Sequence, residues 1–123
     1  VWRWAGQFRT TDRNIGVEPW NIRPQLRVLL DDARYWVEHD TYSPDEIAVR
    51  FHHRLVWIHP FPNGNGRHAR LMADLFAEQH GRPRFTWGSS NLAAQGAVRQ
   101  QYIAALQQAD QQNVEPLLQF ARS

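Results

Sequence analysis

Between positions 59 and 70 the chain reads His-Pro-Phe-Pro-Asn-Gly-Asn-Gly-Arg-His-Ala-Arg. His59 is a side chain whose ordinary pKa lies near neutrality, so it can take a proton from a hydroxyl nucleophile. Gly64 and Gly66 let a backbone turn tightly and come close to a ligand. The residues after them carry helical spacing, so the turn opens a helix. A helix begins with unpaired N–H groups and a partial positive charge. A glycine-spaced turn feeding such an end is a phosphate cradle. Arg67 and Arg70 share one face of that helix's first turns. Two planar guanidinium forks beside one cradle imply an anion of more than one charge, such as a polyphosphate. Asn65 either stabilises the turn or donates to phosphate, and His68 either lines the site or faces solvent. Phe61 is expected to point into the core and pin the loop.

The elements that must hold this segment read as helices. Over 24–39, Leu26, Leu29, Leu30, Ala33, Trp36 and Val37 recur at helical spacing, and Pro24 suits a first turn. Ser43-Pro44-Asp45-Glu46 reads as a capping box, with Ile47, Phe51, Leu55 and Ile58 as one buried face. That helix must stop near His59, because Pro60 disfavours helix for the residue before it. The next runs from about Gly66 to His80, with Ala69, Met72, Ala73 and Phe76 inward and Gly81 as its C-terminal cap. A further helix covers about 91–111, broken near Gly96, with Leu92, Val98, Tyr102, Ala105, Leu106 and Ala109 as its apolar set. A last one spans 114–121. Residues 6–17 lack helical period and suit a hairpin or extended flap. The fold class is mainly α, a helical bundle with a small β-hairpin.

Composition narrows the function classes. The chain has 123 residues, the size of one domain able to bury a core without metals or disulfides. It has no cysteine, so no thiolate chemistry. His52 and His53 do not stand at the i, i+4 spacing of a zinc helix. No apolar run approaches membrane-spanning length. All fourteen Lys-plus-Arg residues are arginine, at a net charge of +2. They are scattered among acids with no basic run, so most read as ordinary surface and a nucleic-acid partner is not expected. The first residue is Val1, and Val1-Trp2-Arg3-Trp4-Ala5 reads like the end of something, as in a fragment.

Residues 59–70 resemble the signature of the Fic (Fido) family, His-x-Phe-x-(Asp/Glu)-Gly-Asn-Gly-Arg-x-x-Arg, and match all but one of its specified positions. Trp4-Ala5-Gly6-Gln7-Phe8-Arg9 resembles the family's approach to its flap, and Tyr102-Ile103-Ala104-Ala105-Leu106 its C-terminal helix. The likeness spans most of 1–123 as a single Fic-type domain that lacks an N-terminal helix or flanking segment. The loop is also similar to a bacterial subgroup called mobile mystery protein B.

The resemblance implies a nucleotidyltransferase that moves AMP from ATP to a Ser, Thr or Tyr hydroxyl of a target protein, and the lack of cysteine is compatible with the cytoplasmic location expected for it. His59 would be the base. Gly64, Asn65 and Gly66 would hold the α- and β-phosphates, with Arg67 on the β-phosphate and Arg70 on the γ-phosphate. Residues 8–16, including Phe8, Arg9, Thr10 and Thr11, would be the flap that aligns the target. Asn63 departs from the pattern: the family has an acid there that helps hold Mg²⁺, and asparagine offers only a neutral oxygen. A weakly active or non-catalytic nucleotide-binding regulatory module of toxin–antitoxin type is therefore the runner-up, and an arginine-rich nucleic-acid-binding helical domain the third reading. No inhibitory-helix pattern (Ser/Thr-x-x-x-Glu-Gly/Asn) occurs in these 123 residues; it would lie upstream of Val1, in a partner antitoxin, or nowhere, and with none the domain is expected to be uninhibited.

Overall fold

The computed structural model describes residues 7–12, 15–91 and 93–123. A 3-10 turn at Pro19–Asn21 leads into α1 (Ile22–Glu38), followed by α2 (Pro44–Ile58), α3 (Asn65–Gln79), α4 (Gln95–Asp110) and α5 (Glu115–Ala121). Helix α2 is central: it packs against α1, α3 and α5. This position explains why it is buried on more than one face, through Ile47, Ala48, Val49, His52, Leu55 and Ile58.

Two apolar clusters meet across α2. One joins Val49, Ala73, Ala77, Ala105, Leu117 and Ala121, and the other joins Ile22, Leu29, Leu55, Ile58 and Ala69. Alanines dominate the inner faces of α3 and α4, which lets the helices approach closely. Ala69 and Ala73 are fully buried while Met72 and Phe76 are half-buried, as the spacing predicts.

The helix ends follow their local chemistry. Ser43 Oγ accepts from the Glu46 N–H at 3.2 Å. Glu46 does not complete the capping box; its carboxylate takes Arg50 Nε at 2.8 Å instead. At the end of α3 the Arg82 N–H reaches the Ala77 carbonyl and the Gly81 N–H that of Glu78, the paired bonds of a Schellman motif. Helix α4 begins at Gln95, so Gly96 lies in its first turn and does not break it. Leu92 lies outside the described residues.

Five of the fourteen arginines form ion pairs among the described residues. Arg50, Arg54 and Arg84 pair with Glu46, Asp32 and Glu78, while Arg82 and Arg122 converge on Asp45. Those two guanidinium groups, Arg122 foremost, lower the Asp45 pKa to about 2 against the cost of its partial burial. Arg122 also lies 3.9 Å above the Phe85 ring centroid, tying the end of the chain to the start of α2.

The expected hairpin differs. Among the described residues no strand is assigned. The Arg9 N–H bonds to the Pro60 carbonyl and the Val17 N–H to that of Ile58. These donors are thus engaged by the α2–α3 connection, not by a partner strand. Arg13 and Asn14 in the flap, and Trp4, Ala5 and Gly6 before it, lie outside the described residues.

Candidate active site

His59 follows the last residue of α2 with φ 55° and ψ 61°, the left-handed region. A non-glycine residue there is uncommon and persists only when its surroundings hold it. Here Arg9 supplies the hold. Its guanidinium donates to the carbonyls of His59, Ile58, Val17 and Thr11, and the residue is only 3% exposed. Gly16 backs the same spot. A Cβ on Gly16 would sit 2.5 Å from His59 Cβ and 2.6 Å from the Ile58 carbonyl oxygen. Arg9 therefore faces inward as a clamp on the His59 backbone, whereas Thr10 and Thr11 are exposed, as are Asp12 and Ile15.

The turn after His59 is closed by Asn65. Its Oδ1 accepts from the Phe61 N–H at 2.9 Å and its Nδ2 donates to the Phe61 carbonyl at 2.8 Å. Of the two roles open to this side chain, the structure shows the turn-stabilising one. Phe61 is half-buried between Phe8 and His68, at centroid distances of 5.8 Å and 4.8 Å. It pins the loop to the segment before α1, outside the two main apolar clusters. His68 is half-buried with its pKa lowered by burial, and it lies off the cavity wall.

Gly64, at φ 75° and ψ 17°, is the residue from which α3 starts, and no side chain caps that end. The N–H groups of the first turn of α3 are thus left to a ligand. They open on a cavity of about 1120 Å³. One wall is Asn63 through Arg67 with Arg70; the other includes Trp87, Gly96, Arg99 and Tyr102. Three arginines and no carboxylate line it. A Cβ on Gly66 would meet nothing within 4 Å, so the space above this glycine belongs to the cavity. His59 is not on the wall; it stands across the turn, five positions before Gly64.

The far wall was not among the sequence-based candidates. Arg99 and Tyr102 share one face of α4 with Gln95, which is the i, i+4, i+7 signal that would have marked them. Behind them is His52, 0% exposed, with Nε2 2.7 Å from the Tyr102 hydroxyl. Burial lowers its pKa to about 4, and the Arg70 and His53 charges push the same way against the Ala69 carbonyl. Its place between Val49 and Leu55 on a buried face was readable from spacing.

The donor set does not fit a protein-held magnesium ion. Asn63 contributes one neutral amide oxygen and no acid lines the cavity. Among the described residues no cluster of three His, Cys, Asp or Glu side chains could hold a metal. Positive charge here comes from guanidinium groups and helix amides.

A helical bundle that aims one uncapped helix N-terminus and three arginines into an open cavity, with a histidine at the other end of the same turn, has the chemistry to hold a polyanion beside a proton acceptor. Residues 2–77 match the Fic/DOC family, and the chain belongs to that family. It is 31% identical to protein adenylyltransferase fic-1 of Caenorhabditis elegans over 94% of its own length and 22% of that protein's. A solved structure of C. elegans Fic-1 superposes with a TM-score of 0.74 at 30% identity, covering 96% of this chain and 33% of that one. A shorter stretch, 39% of this chain and 10% of the relative, is 41% identical to a uridine 5'-monophosphate transferase of Xanthomonas campestris. The chain thus spans about a fifth of the length of the curated adenylyltransferase it matches.

Proposed function

We propose that this chain is a protein adenylyltransferase domain, moving AMP from ATP onto a Ser, Thr or Tyr hydroxyl of a target protein. The observation that carries it is the acid-free cavity in which the α3 N-terminus, Arg67 and Arg70 converge, one turn from His59. His59 takes the hydroxyl proton while that oxygen attacks the α-phosphorus. The bond from the α-phosphorus to the bridging oxygen breaks, and pyrophosphate leaves. Its charge develops toward the Gly64–Gly66 amides, with Arg67 on the β-phosphate and Arg70 on the γ-phosphate. Asn65 contributes a backbone amide. The exposed flap residues, Thr10 and Thr11 among them, align the target segment by strand addition.

Arg70 has no acidic partner among the described residues, which suits inhibition by a carboxylate from an antitoxin or a helix elsewhere. The loop likeness supports placement in the bacterial mobile mystery protein B subgroup, and an ATP-dependent reaction of this kind belongs in the cytoplasm. The test is incubation with a lysate and ATP labelled at the α- or the γ-phosphate, with α-labelled UTP in parallel. Protein-bound label from α-ATP alone supports AMP transfer. Label from UTP instead moves the reading to UMP transfer, and ATP binding without any transfer moves it to the regulatory module that Asn63 favours.

A further inference from the structure

Arg70 is a half-buried cation held without an acid among the described residues. Its Nε is buried without a hydrogen-bond acceptor, and its guanidinium carbon lies 4.7 Å from the centroid of the Tyr102 ring. Tyr102 comes from α4 and Arg70 from α3, so the contact spans the cavity. The tyrosine is itself anchored: its hydroxyl is 2.7 Å from His52 Nε2 on α2. His52 packs on Trp87 at a centroid distance of 4.5 Å, and Trp87 Nε1 donates to Asp74 Oδ1 at 3.2 Å. Burial keeps His52 neutral, so it shares a hydrogen bond with the phenol and adds no positive charge behind Arg70.

We propose that Tyr102 is the positioning residue that presents Arg70 to the terminal phosphate, with His52 fixing the Tyr102 ring. A ring face attracts a guanidinium through its quadrupole, yet carries no net charge to cancel. A carboxylate in the same place would compete with the anion that Arg70 must bind. The ring therefore orders the arginine and leaves its charge to the ligand. The inference rests on the polyphosphate reading of the cavity.

Equilibrium binding of ATP and of AMP, without target protein, tests it. Arg70→Ala should weaken ATP and leave AMP unchanged; if ATP affinity holds, the polyphosphate reading itself fails. Tyr102→Leu should weaken ATP roughly 2- to 30-fold, the span of a cation–π contact, with AMP unchanged. Tyr102→Phe, which keeps the ring and loses the His52 bond, should fall between Leu and wild type. Adding Tyr102→Leu to Arg70→Ala should cost no further ATP affinity. Equal loss of AMP and ATP in Tyr102→Leu would reduce the residue to packing. A Phe variant as weak as Leu, or a Tyr102→Leu loss that persists without Arg70, would likewise overturn the proposal.

Discussion

Replacing Gly16 by alanine separates two costs that glycine avoids. Gly16 has φ +79° and Gly81 has φ +74°, so an alanine meets the same left-handed penalty at either site, about 1–2 kcal/mol. The surroundings differ. At Gly81 the new Cβ meets nothing within 4 Å, whereas at Gly16 it lies 2.5 Å from His59 Cβ, 2.6 Å from the Ile58 oxygen and 2.9 Å from an Arg9 nitrogen. Overpacking of that kind costs about 1–3 kcal/mol more. Urea unfolding should therefore show Gly81→Ala destabilised by about 1–2 kcal/mol and Gly16→Ala by about 2–5 kcal/mol. The clash also displaces His59, and a shift near 1 Å costs about 100-fold in turnover. ATP affinity should hold, because the cradle is built on α3. Equal destabilisation of the two variants, or lost ATP binding with unchanged turnover, would refute this.

Gly66→Ala should act in the opposite sense: it raises stability by about 0.5–1 kcal/mol in a helical turn, while its Cβ fills cavity space and ATP affinity falls, both measurable by thermal unfolding with and without ATP. The buried His52, with its pKa lowered from 6.5 to about 4, makes the fold lose roughly 3 kcal/mol as pH falls from about 6.5 to about 4, because only the unfolded chain takes up the proton in that window. Urea midpoints across pH should show that slope, and His52→Gln should flatten it. Asn63→Asp restores an anionic oxygen, so nucleotide binding should gain a magnesium dependence that the native chain shows weakly or not at all, as read by calorimetry with and without the ion.

The helices were legible because their signals are local: Ser43 before Pro44, Pro60 after His59, and apolar residues at helical spacing. The cradle was legible for the same reason, since Gly64 through Arg70 are contiguous. What escaped was fixed by partners and positions that the local pattern does not name. Glu46 turns to Arg50, so half of the capping box is absent. Arg9 looks like a surface flap residue, but carbonyls at the end of α2 draw it inside. The hairpin reading of residues 6–17 could not anticipate that the Arg9 and Val17 amides bond to Pro60 and Ile58. Gly96 reads as a break, yet it lies in a first turn, where the N–H needs no intrahelical partner. Arg99 and Tyr102 reach the cavity only because α4 folds back across it.

His59→Ala is the most direct test of the site as a base beside a polyphosphate cradle. With α-labelled ATP and a hydroxyl-bearing target, the native chain should transfer label. The variant should lose transfer by about 100- to 10,000-fold while binding ATP with native affinity. Turnover retained in the variant, or ATP binding lost along with it, would contradict the assignment.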